Sequence, residues 1–237
     1  MATAPIRSAF RHGFIAGLPF ILVAMPFGLL FGVVGTEAGL PIGEVMGFSI
    51  AVIAGAAQFA ALQLMQDNAP TLIIVATALA VNLRMAMYSA SLAPHLGPAP
   101  LWKRALAAYV LVDQVYAVSI ARFESAPAMS IGEKLAYYFG SALPLVPTWY
   151  GASFAGAWAG AAIPPEYALD FAIPITFLAL VGPMLRTLAH LAAALTSVAV
   201  ALALAGLPYN SGLLIAAVAA MVMGAEVERR MNKGKQP

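Results

Sequence analysis

The sequence of 237 residues contains no cysteine. Disulfides, thiol nucleophiles and cysteine-ligated metal or iron–sulfur sites are therefore excluded. Charged residues are also scarce: they make up 9% of the chain, whereas a soluble domain typically carries about 25%. A chain with so few charges and 62% hydrophobic residues cannot build a water-facing surface over its whole length. The composition indicates an all-α, polytopic integral membrane protein.

Motifs of several other protein classes are missing. The sequence has no HExxH zinc motif and no Walker-type phosphate loop, so metalloprotease and intrinsic ATPase functions have no support. We expect neither a metal nor a cofactor. The net charge of +2 is too small to indicate nucleic-acid binding. The first apolar run is too long for the core of a signal peptide and lacks a clear cleavage site, so we expect it to be a membrane segment.

Apolar runs predict a bundle of about eight transmembrane helices, several of them interrupted by glycine or proline. The fourth run is the shortest, so seven crossings is the alternative. We treat residues 1–237 as a single membrane domain. The predicted segments are 13–35, 43–66, 71–93, 105–121, 135–160, 167–182, 187–206 and 211–227.

Basic residues predict the orientation in the membrane, because they favour cytoplasmic loops. With eight crossings, only Lys103 and Arg104 fall outside, against this rule. A re-entrant second or third segment, which enters and leaves the membrane on one side, would bring that pair inside but move the basic tail outside. We expect both termini in the cytoplasm. The residues then on the cytoplasmic side are Arg7, Arg11, Arg122, Lys134, Arg186, Arg229, Arg230, Lys233 and Lys235.

A weak internal repeat is visible. A shift of 123 residues aligns Gly17 with Gly140 and Gly28 with Gly151, which suggests repeat halves 13–121 and 135–227. Transporters often contain such repeats, with interrupted helices at matching places beside the substrate. The interrupted stretches here are "GLPFILVAMPFG" and "GSALPLVPTWYG". With the second segment included, the candidate helix-break positions are Pro19, Pro26, Gly28, Gly55, Pro144 and Pro147.

Arg84 lies near the centre of the third apolar segment, and Asp113 near the centre of the fourth. A charge at that depth costs about 3 kcal/mol or more. Both residues lie about 13–15 Å from the same membrane face if the two helices are consecutive and antiparallel. We therefore predict that they pair, either as a structural salt bridge or as part of a substrate or proton path. Helical spacing places Tyr109 and Tyr116 on the same predicted helix face as Asp113. It likewise places Tyr88 and Ser91 on the same face as Arg84, and we call each such row of residues a stripe.

Three further polar residues are candidates. Asn82 lies about 200° from Arg84 around a regular helix, so it shares that site only if the helix is unwound and otherwise forms an interhelical hydrogen bond. Gln58 follows Gly55 and places an amide deep in the membrane. Asp170 belongs to the candidate site too, or lies at the membrane interface as an N-terminal helix charge.

An enzyme is a remote alternative. Ser153 in "GASFAG" and His190 in "AHLAA" faintly resemble the serine and histidine of rhomboid-type intramembrane proteases. That chemistry places the serine beside a tight glycine turn, whereas Phe154 follows Ser153 here. We therefore expect a protein that is not an enzyme.

The motifs "GLPFILVAMPFG", "AGAAQF", "VNLRMAMYSASL", "LVDQVYA" and "LDFAIP" occur in this order along nearly the whole chain. With these motifs in this order, the chain resembles the AzlC family of branched-chain amino-acid permeases. The resemblance implies export of such amino acids across the bacterial plasma membrane, proton coupling and a small hydrophobic partner of the AzlD type. Met85 and Gln114 depart from the family pattern, in which a histidine and a second acidic residue are frequent.

The sequence therefore favours a secondary transporter that exports small apolar amino acids. Arg84, or backbone N–H groups beside Gly55 or Pro26, would hold the substrate carboxylate. Asp113, or backbone carbonyls freed near Pro144 and Pro147, would hold the ammonium. Asp113 is also the candidate proton carrier. The alternative is a membrane subunit that does not itself transport.

Overall fold

The structure is a computed structural model that describes residues 3–161, 185, 187–207 and 211–233. Within these ranges all regular secondary structure is helical, as the sequence predicts. A short 3-10 turn, Leu18–Phe20, joins the first two helices. The helices are α1 (Thr3–Gly17), α2 (Ile21–Glu37), α3 (Ile42–Ala51), α4 (Gly55–Gln66), α5 (Thr71–Leu96), α6 (Leu101–Tyr109), α7 (Asp113–Ser125), α8 (Ile131–Ala142), α9 (Leu145–Gly160), α10 (Leu188–Ala203) and α11 (Gly212–Lys233).

The chain forms two compact units. The first consists of Met1–Leu62 and Ala78–Tyr167, and the second of Gln63–Thr77 and Ala168–Pro237. Among the described helices, α5 and the joined α1–α2 pair are long and apolar enough to cross a membrane, judged by length and composition. The predicted third segment is thus a single helix, and it extends to Leu96.

In the first unit, α1–α2 and α8–α9 lie side by side and run in the same direction. Gly13 lies against Tyr137 and Gly28 lies against Ala152, so both contacts join residues 124 positions apart. Because residues later in one pair contact residues later in the other, the two helix pairs are parallel. The repeat halves stay a prediction.

Glycines allow these two helix pairs to touch backbone to backbone. A Cβ on Gly32 would overlap the Ser153 carbonyl oxygen, and one on Gly156 would overlap that of Leu29. Small residues at such positions are a common basis for helix association in membranes, because they let backbones approach closely. The contact therefore excludes any larger side chain at these two glycines.

The predicted helix breaks are only partly present. Pro19 lies in the 3-10 turn between α1 and α2, and Pro144 caps the start of α9, so both mark interruptions. Pro26 lies inside a continuous α2, and Pro147 in the first turn of α9. Proline is tolerated in a first turn because those N–H groups have no partner within the helix. Gly28 is a packing residue within α2 rather than a break.

The predicted fourth segment, 105–121, is wrong as a single crossing. Its second half, α7, runs parallel to α5. Near the start of α7, Asp113 pairs with Arg84. Near its end, the Phe123 ring lies 5.5 Å from that of His95, measured between centroids. Since contacts advance together along both helices, α7 leads back to the end of α5 where His95 lies.

Helix α6 starts at that same end of α5, because only four residues separate it from Leu96. The chain therefore runs away from this end of α5 as α6, reverses at residues 110–112 and runs back to the same end as α7. With 9 and 13 residues, these helices are about 14 and 20 Å long. Neither spans a hydrocarbon core of about 30 Å. We name this element the α6–α7 hairpin.

The predicted second segment, 43–66, is also broken. Helix α3 ends at Ala51 and α4 starts at Gly55. Phe48 from α3 and Phe59 from α4 both contact the Phe31 ring, at centroid distances of 5.8 and 5.9 Å. A continuous helix would place Phe48 and Phe59 about 16 Å apart along its axis. The chain therefore bends back at residues 52–54, and we name this element the α3–α4 hairpin.

These reversals bring all basic residues described in the first unit, except Arg84, to one end, which we name the basic end. The Lys134 Nζ lies 3.5 Å from the His95 ring, and Ile6 near the start of α1 lies beside Gly132. Lys103 and Arg104, the two exceptions with eight crossings, start α6 at this end. The residues gathered there are Arg7, Arg11, Lys103, Arg104, Arg122 and Lys134.

A capping box fixes the start of α8 at the basic end. The Ser130 hydroxyl and backbone N–H both donate to the Glu133 carboxylate, and the Glu133 N–H donates back to the Ser130 oxygen. The two hydrogen bonds that Ser130 donates to the carboxylate hold the pKa of Glu133 below its ordinary value. Their contribution to stability is therefore present at neutral pH and is lost as the pH falls through the pKa of the folded protein.

In the second unit, α10 and α11 pack against each other, with Gly224 beside Ala193. Thr187 caps α10 by accepting a hydrogen bond from the His190 N–H. Both helices agree with predicted segments. The predicted sixth segment, 167–182, and Asp170 within it lie outside the described residues.

The glycine contact predicts unequal effects of two similar substitutions in α9. We expect Gly156→Ala to lower the free energy of unfolding by about 1–3 kcal/mol, because the new methyl group overlaps the Leu29 carbonyl oxygen. Gly151→Ala, in the same helix, meets nothing within 4 Å and serves as the matched control. Unfolding of the purified protein measures both. Equal stability of the two variants would contradict this packing.

Candidate functional site

Arg84 and Asp113 form an ion pair at the reversal of the α6–α7 hairpin. The Arg84 Nη1 lies 2.9 Å from the Asp113 Oδ2. Arg84 comes from the middle of α5, and Asp113 is the first residue of α7. The predicted pairing is therefore present, although for a different reason: the partner helix runs parallel to α5, not antiparallel. The side chains are 31% and 38% exposed, so the surrounding helices of this chain do not fully enclose the pair.

The first turn of α7 adds unpaired backbone donors to this pair. A helix leaves its first four N–H groups without partners inside the helix. The preceding residue, Val112, has an apolar side chain and gives no cap. The partial positive charge of the helix start favours the Asp113 carboxylate. This charge would equally favour another carboxylate that took its place.

Two polar atoms of the pair have unused hydrogen-bonding capacity. The Arg84 Nε and the Asp113 Oδ1 are buried and have no hydrogen-bond partner among the described residues, and the same holds for the Asn82 Oδ1 elsewhere on α5. Helix α5 is continuous through Asn82, so the unwinding that would bring Asn82 and Arg84 to one face does not occur. Asn82 therefore lies on a different face of α5 from Arg84.

Two tyrosines extend the site toward the basic end. The Tyr88 and Tyr116 rings stack, with centroids 4.1 Å apart and planes 11° apart. The Tyr116 hydroxyl donates to the Ser91 Oγ at 3.1 Å. Tyr88 also interacts electrostatically with both Asp113 and Arg84. Tyr88 and Ser91, which share one face of α5 with Arg84, therefore both contact Tyr116 of α7.

Tyr109 does not lie on the predicted stripe with Asp113, because the helix ends between them. Its hydroxyl donates to the Ile50 carbonyl oxygen at 2.8 Å and lies 2.7 Å from the Tyr150 hydroxyl. Ile50 is next to the end of α3, and Tyr109 ends α6. Tyr109 thus joins the reversal points of the two hairpins.

Gln58 lies in the first turns of α4 and is fully buried. Neither its Nε2 nor its Oε1 has a hydrogen-bond partner within the described part of the chain. A buried polar group left without a partner costs about 1–3 kcal/mol. The neighbouring Gly55 and Phe59 both contact Phe27, so this face of α4 lies in an aromatic environment. Such a costly arrangement is typical of functional sites.

The structure argues against a protease site at Ser153. This residue is fully buried, and its Oγ accepts a hydrogen bond from the Ser49 Oγ at 3.0 Å. Ser153 therefore links α9 to α3. The Pro144 carbonyl, a candidate ligand for an ammonium group, already accepts a hydrogen bond from the Thr148 hydroxyl at 2.7 Å.

Sequence reasoning missed Tyr150 and the Ile50 carbonyl. Tyr150 follows Trp149 in "PTWYG", where neither spacing nor charge singles it out. Its partner Tyr109 is 41 residues away in the chain. Helical spacing assigns Tyr109 to Asp113 instead, so the sequence carries no signal for this contact.

The ion pair predicts a specific pattern of stabilities. We expect Arg84→Met and Asp113→Leu to lower the free energy of unfolding by about 1–3 kcal/mol each, because each leaves an unpaired charge. The double variant should lose clearly less than the sum of the two. As a control, Arg230→Met removes an exposed ion pair to Glu226 and should cost less than about 1 kcal/mol. Additive losses in the double variant would contradict a coupled pair.

Comparisons with known proteins identify the family. A profile of the family described as "AzlC protein" matches residues 19–163, which is more than half of the chain. The chain is 31% identical over 215 residues to an "Uncharacterized membrane protein" of Archaeoglobus fulgidus, covering 89% of this chain and 91% of that protein. It is 26% identical over 181 residues to "Inner membrane protein YgaZ" of Escherichia coli K12, covering 74% and 73%. No solved structure matches the chain significantly. Together with the helical fold, these similarities show that the chain belongs to the AzlC family of membrane proteins.

Proposed function

We propose that this protein is a secondary transporter that exports branched-chain or other small apolar amino acids across the bacterial plasma membrane, driven by the proton gradient. Membership of the AzlC family supports transport. The observation that carries the proposal is the ion pair between Arg84 and Asp113, which lies where a half-length helix begins. Broken helices with charged residues at the break are typical of transporter substrate sites.

Arg84 and the start of α7 would bind the substrate carboxylate. The Arg84 Nε has no partner among the described residues, so the guanidinium can donate beyond its contact with Asp113. The first-turn N–H groups of α7 add a second set of donors on the same side of the hairpin. A carboxylate bound there would compete with Asp113 for both.

Asp113 would serve two purposes in turn. Its Oδ1 is buried and has no hydrogen-bond partner among the described residues, so it can accept a hydrogen bond from the substrate ammonium. Alternatively, Asp113 binds a proton, and the neutral carboxyl group no longer pairs with the substrate ammonium. Proton and substrate therefore exclude each other at Asp113, so an inward proton exchanges for an outward substrate. This exclusion supplies the link to the proton gradient.

The aliphatic side chain of the substrate would lie on the apolar surroundings of the pair. The stacked Tyr88 and Tyr116 rings provide a flat surface directly beside Asp113. Gln58 of α4, whose side-chain amide has no hydrogen-bond partner among the described residues, is a further candidate contact for the substrate. A zwitterion with a short apolar side chain fits a site with one cation, one anion and aromatic walls.

The two hairpins suggest how access alternates. Tyr109 holds the end of α6 to the end of α3 by its hydrogen bond to the Ile50 carbonyl. We propose that this contact breaks and reforms as the site opens to one side or the other. By the positive-inside rule, the basic end would face the cytoplasm. A small AzlD-type membrane subunit would complete the transporter.

Efflux of labelled valine, leucine or methionine from proteoliposomes tests the proposal, with this chain reconstituted together with its partner subunit. We expect Arg84→Ala to lower the efflux rate about tenfold or more, because a charge-assisted contact is lost. Asp113→Asn should make any remaining efflux independent of an imposed proton gradient. Glu44→Gln, an exposed acidic residue in the first turn of α3, is the matched control.

Normal efflux by a folded Arg84→Ala protein would remove this residue from the substrate site. Unchanged proton dependence in Asp113→Asn would remove Asp113 from coupling. Absence of any flux with the partner present would favour a membrane subunit that does not transport.

A further inference from the structure

A pocket lies at the basic end of the first unit, between α5, α6 and α8. Its volume is about 540 Å³, within the range of about 300–1,000 Å³ that is usual for ligand pockets. The walls are mostly leucine and alanine side chains, and they extend from Leu101 near the end of the unit to Leu111 at the reversal of the hairpin. An apolar cleft of this depth suits a hydrocarbon chain.

The mouth of the pocket is cationic. Arg104 lines it and forms no ion pair with any residue that the structure describes. Lys103 is adjacent, with its Nζ 5.3 Å from the centroid of the Trp102 ring. Trp102 is 62% exposed, and tryptophan beside lysine and arginine is typical of the membrane interface. The mouth therefore lies at headgroup level.

The pocket is separate from the Arg84–Asp113 site. Ser89, Leu92 and Leu96 line it and share one stripe of α5. Arg84 lies five residues before Ser89, which is about 140° around the helix. The pocket and the ion pair therefore use different faces of α5, and the pocket is not an extension of the substrate site.

We propose that this pocket binds an anionic phospholipid of the leaflet at the basic end. An acyl chain lies between α5 and α6, and the phosphate pairs with Arg104 and Lys103. Basic pockets between membrane helices are recognised by anionic headgroups in this way. Charge complementarity selects an anionic lipid over a zwitterionic one, and the apolar walls select a lipid over free phosphate.

Native mass spectrometry of the purified protein, titrated with phosphatidylglycerol or phosphatidylcholine, tests the proposal. We expect one phosphatidylglycerol to bind more tightly than phosphatidylcholine. Arg104→Gln should weaken that binding about fivefold. Arg11→Gln removes one charge from the same end, away from the pocket, and should leave phosphatidylglycerol binding unchanged.

A second variant tests the apolar part without changing the charge. Ala108 lines the pocket, and Ala108→Phe should fill it and abolish the tight phosphatidylglycerol binding while the melting temperature without added lipid stays the same. Equal effects of Arg104→Gln and Arg11→Gln would overturn the proposal in favour of general surface charge. So would full binding by Ala108→Phe, or photocrosslinking from position 108 to a protein instead of phospholipid.

Discussion

The reversal of the chain at residues 110–112 is the constraint on which the site depends. It turns Asp113 from a residue in the middle of a crossing helix into the first residue of a half-length helix that faces Arg84. The same reversal frees the N–H groups of the first turn of α7. A single charge in an apolar helix is costly, whereas here it acquires a partner and a set of backbone dipoles at once.

The rest of the first unit positions this reversal. The parallel α1–α2 and α8–α9 pairs touch through glycines and form a close-packed support. The α3–α4 hairpin packs on that support through the Phe31 contacts and the hydrogen bond between Ser49 and Ser153. Tyr109 then joins the two hairpins. The packing of the helices therefore determines where the Arg84–Asp113 pair lies. The attraction between the two charges would not by itself fix that position.

The sequence predicted the helical membrane bundle, the family and the pairing of Arg84 with Asp113, because each depends on strong local signals. Hydropathy located the apolar segments. The cost of a charge inside the membrane predicted that Arg84 pairs with an opposite charge, Asp113. The α6–α7 hairpin was not predicted, whereas the α3–α4 hairpin agrees with the predicted break at Gly55 and with the alternative of a re-entrant second segment. A half-length helix pair and a crossing helix have similar apolar length, and the break at 110–112 contains only valine and leucine, with no proline or glycine. The misfit of Lys103 and Arg104 to the positive-inside rule was the signal that pointed to the error.

Sided labelling tests the central claim most directly, since the chain has no cysteine of its own. Single cysteines at Pro98, before α6, and Ala128, after α7, would be probed in membranes with a thiol reagent that cannot cross the bilayer. The hairpin predicts that both are labelled from the same side, and that a cysteine at Glu44, at the start of α3, is labelled from the other. Labelling of positions 98 and 128 from opposite sides would show that α6–α7 crosses the membrane and would contradict the account.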